Sequence, residues 1–274
     1  ALQKARRLFS AAKAGHTGTL DPMATGLLPL CFGEATKFSA DLLDADKTYE
    51  AELLFGVTTD TGDAEGVVLE RRDVGFSGSD LDAALARFRG RITQVPPMYS
   101  ALKRDGKPLY ELARQGVVVE RVPREVTIHE LSLLDFAGER CRVRVSCSKG
   151  TYVRTLAEDI GAVLGCGAHL TALRRTAVGS LQIGDAIPLD VIEEEAEDRR
   201  GRFLSPPDAL LSSLPAVHLD GDRARRFANG NPVEMSEPPL PAATKCRVYA
   251  DARLLGVGEA QGDGKVCPRR LVCA

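Results

Sequence analysis

Residues 15–26, GHTGTLDPMATG, constrain the fold most, because their glycines and proline indicate a rigid loop rather than a regular element. The three glycines permit backbone turns and close approaches that a side chain would block. Pro22 moves the residue before it towards an extended backbone. The apolar run over residues 26–33 is typical of a buried strand that ends in a turn. We therefore predict a loop that leads directly into the hydrophobic core.

Asp21 is the one acid in this loop, and no other side chain there could serve as a strong nucleophile. A carboxylate presented at a surface can act as a covalent nucleophile, and loops on a rigid scaffold often carry functional groups. Most Asp-Pro pairs, however, are ordinary turn initiators. The loop alone therefore leaves both interpretations open.

The composition excludes several classes of protein. The 274 residues can form one large domain or a large and a small one, and 44% hydrophobic residues support a core. The sequence lacks the apolar run of about 18 residues that a transmembrane helix would need, and its basic start lacks the apolar stretch of a signal peptide. The seven cysteines form no C-x-x-C pair, so we expect no zinc site and free thiols in a reducing cytosol.

Charge is distributed unevenly along the chain. A net charge of −2 and an isoelectric point near 6.2 argue against a general nucleic-acid coat protein. Residues 1–20 and 140–157 carry bases without an acid, residues 87–107 carry six bases against one acid, and residues 185–198 carry seven acids without a base. This pattern predicts one face suited to phosphates, although residues 190–202 are better explained as a solvated helix face.

Apolar periodicity predicts helices and strands in irregular order. Residues 48–55 alternate as a strand with Tyr49, Ala51, Leu53 and Phe55 on one face. The predicted helices span residues 4–13, 35–44, 80–89, 109–115 and 151–164, the last capped by Thr151. Further strands are predicted at residues 117–119, 125–136 and 140–146. This mixture has no regular β-α-β rhythm and predicts an α+β fold with a largely antiparallel or mixed sheet.

The chain changes character near residues 204–215, where prolines interrupt it. Short β-like segments punctuated by glycine and proline follow at residues 217–219, 246–250, 254–259 and 266–272. We therefore predict a large domain over residues 1–212 and a small β module over residues 213–274.

The longer segment GHTGTLDPMATGLLPLCFGEATKF resembles the signature of the TruB family of tRNA pseudouridine synthases, which is long and specific. The resemblance continues in order through nearly the whole chain, at residues 47–50, 56–63, 94–103, 147–154, 165–170, 173–176, 256–259 and 268–272. Members of this family normally begin with an upstream strand that carries a Lys-Pro-x-Gly segment. This chain starts after that position, so we expect the edge strand to be missing.

The resemblance implies a pseudouridine-synthase catalytic domain over residues 1–212 and an all-β, PUA-like RNA-binding domain over residues 213–274. It implies an isomerase that converts uridine 55 in the T-loop of tRNA to pseudouridine, with no metal and no redox cofactor. The expected partner is the T-arm of tRNA. The expected state is a cytoplasmic monomer that needs neither a protein partner nor a membrane.

The resemblance also assigns catalytic roles. Asp21 matches the nucleophile, which attacks either the ribose or the base, and Arg154 matches the arginine that pairs with it. Physically, an arginine beside a carboxylate orients it. Tyr49 matches the active-site tyrosine, which stacks on the flipped uridine or relays a proton. Alternation alone leaves a core role for Tyr49 equally open.

Other matched positions contact the RNA. Tyr152 and Leu173 match the lining of the uridine pocket. His16 matches a histidine that contacts the RNA near the flipped base, and Lys37 is a candidate phosphate contact. The remaining histidines lack matching context and are interpreted as structural: His129, His169 and His218.

Two other classes of function fit parts of the sequence. An RNA-binding folding factor, in which catalysis is secondary, would also use basic segments and a PUA-like module, but binding alone has no use for an acid near phosphates. A carboxylate-pair glycosidase needs two acids at a defined separation. Glu34 and Asp41 are the acids nearest to Asp21 in sequence, and neither lies in a comparable loop.

Overall fold

The computed structural model describes residues 1–235 and 239–272. The α-helices there are α1 (Leu2–Leu8), α2 (Ser39–Leu43), α3 (Gly78–Ala86), α4 (Leu109–Arg114), α5 (Val153–Val163), α6 (Leu189–Glu194) and α7 (Gly221–Ala228). The strands are β1 (Ala14–His16), β2 (Thr25–Gly26), β3 (Leu30–Phe32), β4 (Lys47–Phe55), β5 (Val57–Thr59), β6 (Val68–Arg71), β7 (Gly90–Gln94), β8 (Lys103–Arg104), β9 (Lys107–Pro108), β10 (Arg124–Ala137), β11 (Arg140–Cys147), β12 (Ala168–Val178), β13 (Leu181–Gln182), β14 (Ala216–Leu219), β15 (Val233–Glu234), β16 (Lys245–Ala250), β17 (Arg253–Ala260) and β18 (Lys265–Leu271). Short 3-10 helices span Gly33–Lys37, Ile183–Asp185, Glu197–Phe203 and Pro207–Leu211.

Among the described residues, no helix has both the length and the apolar character needed to cross a membrane.

Two compact units are interleaved along the chain. The terminal unit comprises Ala1–Gly18, Pro29–Leu43 and Ile187–Ala274. The central unit comprises Thr19–Leu28 and Asp44–Ala186. The division after residue 212 that the sequence suggests stays a prediction.

A seven-stranded sheet organises the central unit, in the order β13-β12-β4-β11-β10-β7, with β2 beside β12. Its neighbours pair antiparallel, except that β2 runs parallel to β12. The predicted α+β class with a largely antiparallel sheet is therefore confirmed. In β4, Ala51, Leu53 and Phe55 are buried on one face, as the alternation predicts.

Two helices pack against this sheet because each presents an apolar face. α3 begins at a capping box, in which Ser77 and Asp80 satisfy each other's backbone N–H groups, and it buries Leu81 and Leu85. α5 buries Leu156 and Ile160 in the same core.

A five-stranded sheet, in the order β14-β16-β17-β18-β15, lies in the terminal unit. The four β segments predicted between residues 217 and 272 correspond to β14, β16, β17 and β18. The sequence did not predict α7, because its segment GDRARRFA is mostly polar. α7 buries only Ala224 and Phe227, in the core of this β-rich part.

Two predictions near the N-terminus are wrong. The helix predicted over residues 4–13 ends at Leu8, and the chain then enters β1, which pairs with β3. The apolar run of residues 26–33 is divided between β2 and β3 instead of forming one strand. Pro29 stands between them, and it has no N–H group to donate to a strand ladder.

Two predictions in the central unit are also wrong. Residues 117–119 lie outside every strand in the described part of the chain. Thr151 does not cap α5, because Tyr152 occupies the N-cap position and the Thr151 hydroxyl donates to the Ser148 carbonyl at 2.9 Å.

The described cysteines are free thiols, and all except Cys267 are buried. Burial raises the pKa of Cys141 to about 12 and that of Cys147 to about 11. Cys273 lies outside the described residues.

Gly161→Ala tests the close approach of α5 to β12. A Cβ at this position would overlap the backbone nitrogen of Ala168, so the helix must move away from the strand. We expect the free energy of unfolding to fall by about 1–3 kcal/mol, as for overpacked cores, in a urea titration. Gly184→Ala is the matched control, because its Cβ would meet no atom within 4 Å. Equal stability of the two variants would contradict the expected clash.

Candidate active site

The loop that carries Asp21 is a turn held against a strand. The Asp21 carbonyl accepts the Ala24 N–H at 2.9 Å, and Pro22 occupies the second position of the turn, which its fixed φ favours. Gly26 follows with φ +101°, and any Cβ there would overlap the backbone of Arg175. The glycine is therefore required for β2 to lie beside β12. The Asp21 side chain is 34% exposed and can meet a ligand.

Arg154 holds the Asp21 carboxylate. It stands in the first turn of α5, and its side chain is only 5% exposed. Its Nε donates to Asp21 Oδ2 at 2.9 Å, Nη1 donates to the Thr61 carbonyl at 3.0 Å, and Nη2 donates to the Tyr99 carbonyl at 2.7 Å. The structure thus brings together the acid and the arginine that the sequence pairs, and the guanidinium plane is fixed on three sides.

A second carboxylate, Asp63, faces the same guanidinium. Its Oδ2 lies 3.5 Å from Arg154 Nη1, and its side chain is 5% exposed. Its Oδ1 accepts from the Thr61 hydroxyl at 2.6 Å and from the Glu65 N–H at 3.1 Å. Buried charges need partners of this kind. Asp63 lies in a segment that carries the resemblance, but nothing in that segment shows which distant group it meets, so the sequence predicts no site role for it.

Tyr49 belongs to both the core and the site. It lies on β4, and its ring packs against the hydrophobic core of the central unit. Burial raises the pKa of its hydroxyl to about 12, and the charge of Asp21 contributes in the same direction, while the positive charge of Arg175 opposes both. The hydroxyl therefore remains protonated at neutral pH.

Tyr152 lies at the N-cap of α5, whereas Leu173 lies on β12. The Tyr152 backbone is fixed by Gln94, whose side-chain amide accepts the Tyr152 N–H at 3.0 Å and donates to its carbonyl at 3.2 Å. The Arg124 guanidinium lies 5.5 Å from the centroid of its ring. Leu173 is buried on β12, in the core against which the loop residue Met23 also packs.

His16 and Lys37 belong to the terminal unit. His16 Nδ1 accepts the Gly18 N–H at 3.3 Å. The Lys37 ammonium donates to Glu34 at 2.7 Å and to the Leu271 carbonyl at 3.0 Å. Their RNA contacts stay predictions.

The three remaining histidines make local contacts. His169 is buried beside the Val57 carbonyl, at 2.8 Å, and the His129 ring lies 3.2 Å from the Asp46 carboxylate. His218 stacks on Tyr249. Among the described residues, no group of three or more His, Cys, Asp or Glu side chains is arranged to hold a metal ion.

Acidic neighbours reduce the charge of the basic segment 140–157. Arg140 lies 2.6 Å from Glu52, Arg144 lies 3.2 Å from Glu50, and Lys149 lies 2.8 Å from Asp44. These pairs are exposed, and such pairs are worth about 0–1 kcal/mol. Breaking such a pair therefore costs little free energy.

Family models match three consecutive parts of the chain. The TruB family pseudouridylate synthase N-terminal domain matches residues 6–153. The tRNA pseudouridylate synthase B C-terminal domain matches residues 154–212. The pseudouridine synthase II TruB C-terminal model matches residues 215–272.

Curated relatives are similar over nearly the full length. The tRNA pseudouridine synthase B of Dechloromonas aromatica is 61% identical over 272 residues, which cover 99% of this chain and 90% of that protein. The tRNA pseudouridine synthase B of Burkholderia mallei is 60% identical over 277 residues, which cover 99% of this chain and 91% of that protein.

Solved structures share the fold. A crystal structure of a Cbf5-Nop10-Gar1 complex contains a chain with a TM-score of 0.71 at 24% identity, covering 94% of this chain and 73% of that one. A structure of an H/ACA RNP bound to a substrate RNA containing 2′-deoxyuridine gives a TM-score of 0.73 at 20% identity, covering 98% of this chain and 79% of that one.

Tyr49→Phe tests the environment of the tyrosine hydroxyl. Its pKa is about 12 in the folded protein and 10.0 ordinarily, so the folded state holds the proton more tightly. This contribution to stability is complete below pH 10 and is lost as the pH rises towards 12. We expect the free energy of unfolding to fall less steeply over that interval in Tyr49→Phe than in the wild type, as measured by urea titrations. Parallel curves would contradict this environment.

Proposed function

Because the chain belongs to the TruB family of pseudouridylate synthases, we propose that it converts uridine 55 in the T-loop of tRNA to pseudouridine, with Asp21 as the nucleophile. The observation that carries this proposal is a partly exposed carboxylate held by a buried arginine at 2.9 Å. Its relatives, which are named tRNA pseudouridine synthase B, supply the substrate class.

The reaction needs bond exchange without oxidation or reduction. The bond between the ribose and the base nitrogen breaks, the base rotates, and a bond forms from the ribose to carbon 5. Carbon 5 then loses its proton, and the freed nitrogen gains one. Asp21 attacks either the ribose or the base and is released at the end. Arg154 binds Oδ2 of Asp21 and so fixes the direction from which the carboxylate meets the uridine.

The target uridine has to leave its stack to reach Asp21. Flipping costs a few kcal/mol, and stacking on an aromatic face recovers about 1–3 kcal/mol per base. We assign that face to Tyr49, whose neutral hydroxyl can also relay a proton. Tyr152 and Leu173 line the uridine pocket in this proposal.

The RNA contacts outside the pocket follow from the same proposal. His16 contacts the RNA near the flipped base, and Lys37 contacts a phosphate by exchanging its present partner Glu34. In this proposal residues 213–274 form a PUA-like RNA-binding domain, and residues 1–212 form the catalytic domain. We propose that the enzyme acts as a cytoplasmic monomer on the T-arm of tRNA, without a metal or a redox cofactor.

Asp21→Asn tests the nucleophile, because the amide keeps the shape of the side chain and removes its charge. With tRNA tritiated at carbon 5 of uridine, we expect tritium release to slow by about 10³-fold or more while tRNA binding persists. Asp73→Asn, at an exposed position, is the matched control and should keep the wild-type rate. Binding without tritium release by the wild-type protein would favour the folding factor instead.

Arg142→Gln tests the phosphate-binding face. Arg142 lies on the exposed face of β11 between Arg140 and Arg144. Each phosphate contact contributes about −0.7 to −0.9 to the slope of log K against log salt concentration. We expect tRNA binding to depend steeply on salt, and the variant to lower this slope by about one contact. Arg72→Gln, at an exposed arginine outside the basic segments, should leave the slope unchanged, and a flat response in the wild type would contradict the assignment.

A further inference from the structure

Arg175 is a buried cation that no step of the proposed reaction uses. It lies on β12, is 1% exposed and is among the largest fully buried side chains of the described residues. Burying a guanidinium costs free energy unless its donors are satisfied. Its Nε donates to the Leu27 carbonyl at 2.8 Å, and its Nη1 donates to the Thr19 carbonyl at 3.3 Å.

These two carbonyls stand at the two ends of the loop that carries Asp21. Thr19 precedes the acid by two residues, and Leu27 follows β2. The backbone of Arg175 adds a third link, because its carbonyl accepts the Leu27 N–H at 2.8 Å. One residue therefore fixes both ends of the loop through its backbone and its side chain.

Arg175 also lies beside Tyr49. The strand register places Arg175 on β12 directly opposite Tyr49 on β4, and the positive charge of Arg175 lowers the pKa of the Tyr49 hydroxyl. The loop and the tyrosine are therefore both positioned by one buried residue. A guanidinium presents donors in a planar fork, whereas an ammonium is a point charge on a flexible stem. Arginine can thus set two distant elements at a fixed separation, and lysine cannot do so equally well.

We propose that Arg175 is a positioning residue, which holds the Asp21 loop and the Tyr49 ring in the mutual geometry that the isomerisation requires. Arg154 contacts the Asp21 carboxylate itself, whereas Arg175 contacts the backbone that carries it. This inference rests on the proposed function for its catalytic part. Its structural part concerns the loop alone and can be tested without activity.

The test compares Arg175→Lys and Arg175→Gln with the wild type. Single-turnover tritium release at saturating enzyme gives the rate of the chemical steps, and filter binding gives the Kd for tRNA. We expect the rate to fall by about 10- to 100-fold, the cost of small misplacements of reacting groups, with Kd unchanged and the lysine variant less impaired. Hydrogen exchange of residues 19–28 should accelerate in both variants while exchange in α3 stays unchanged.

A stability control separates positioning from folding. Leu85→Ala removes a buried side chain of α3 and should lower the melting temperature while keeping the single-turnover rate. Wild-type rates in both Arg175 variants would overturn the proposal, as would unfolding of both, because Arg175 would then be a general core stabiliser. If the wild-type protein releases no tritium, the proposed function fails. Accelerated exchange of residues 19–28 would then still support the role of Arg175 in holding the loop, and unchanged exchange would refute it.

Discussion

The ion pairs of Arg154 are the interaction on which the site depends. One buried guanidinium faces two carboxylates, so this cluster carries one more negative than positive charge. Asp63 is almost completely buried and satisfied by neighbouring donors, whereas Asp21 is one-third exposed. Asp21 is therefore the carboxylate of this cluster that solvent and ligands can reach.

The position of Arg154 in its helix is unfavourable by itself. It stands at the beginning of α5, where the helix dipole opposes a cation, and the first turn of α5 contains no acid. The two carboxylates and the carbonyls of Thr61 and Tyr99 offset this cost. Three segments that are distant in sequence are thereby fixed to the start of one helix, so the geometry of the site follows from the need to satisfy one buried charge.

The sequence predicts those parts of this arrangement that leave a local pattern. The alternation of apolar and polar residues predicts β4 and β11, and the glycines and proline around Asp21 predict the loop. Asp63 and Arg175 leave no such pattern, because their importance lies in contacts with groups that are distant in sequence. The strand β12 was not predicted from periodicity. Such a prediction would have placed Arg175 on the same buried face as Leu173 and so revealed a buried charge. The pairing of the basic residues on β11 with acids on β4 was also invisible, since it depends on strand register.

Tyr49 shows why core and site cannot be separated here. Alternation leaves a core role and a site role equally open, and the structure contains the basis of both. The ring packs against the core, while the charges of Arg175 and Asp21 act on the pKa of the hydroxyl in opposite directions. The sheet that builds the core therefore also sets the position of the ring relative to the loop. Truncation of the Tyr49 side chain would remove both the ring that packs against the core and the hydroxyl. Removal of the hydroxyl alone keeps the ring and its packing. The core role of Tyr49 belongs to its ring and the site role to its hydroxyl, so the two roles are separated by changing one group and keeping the other.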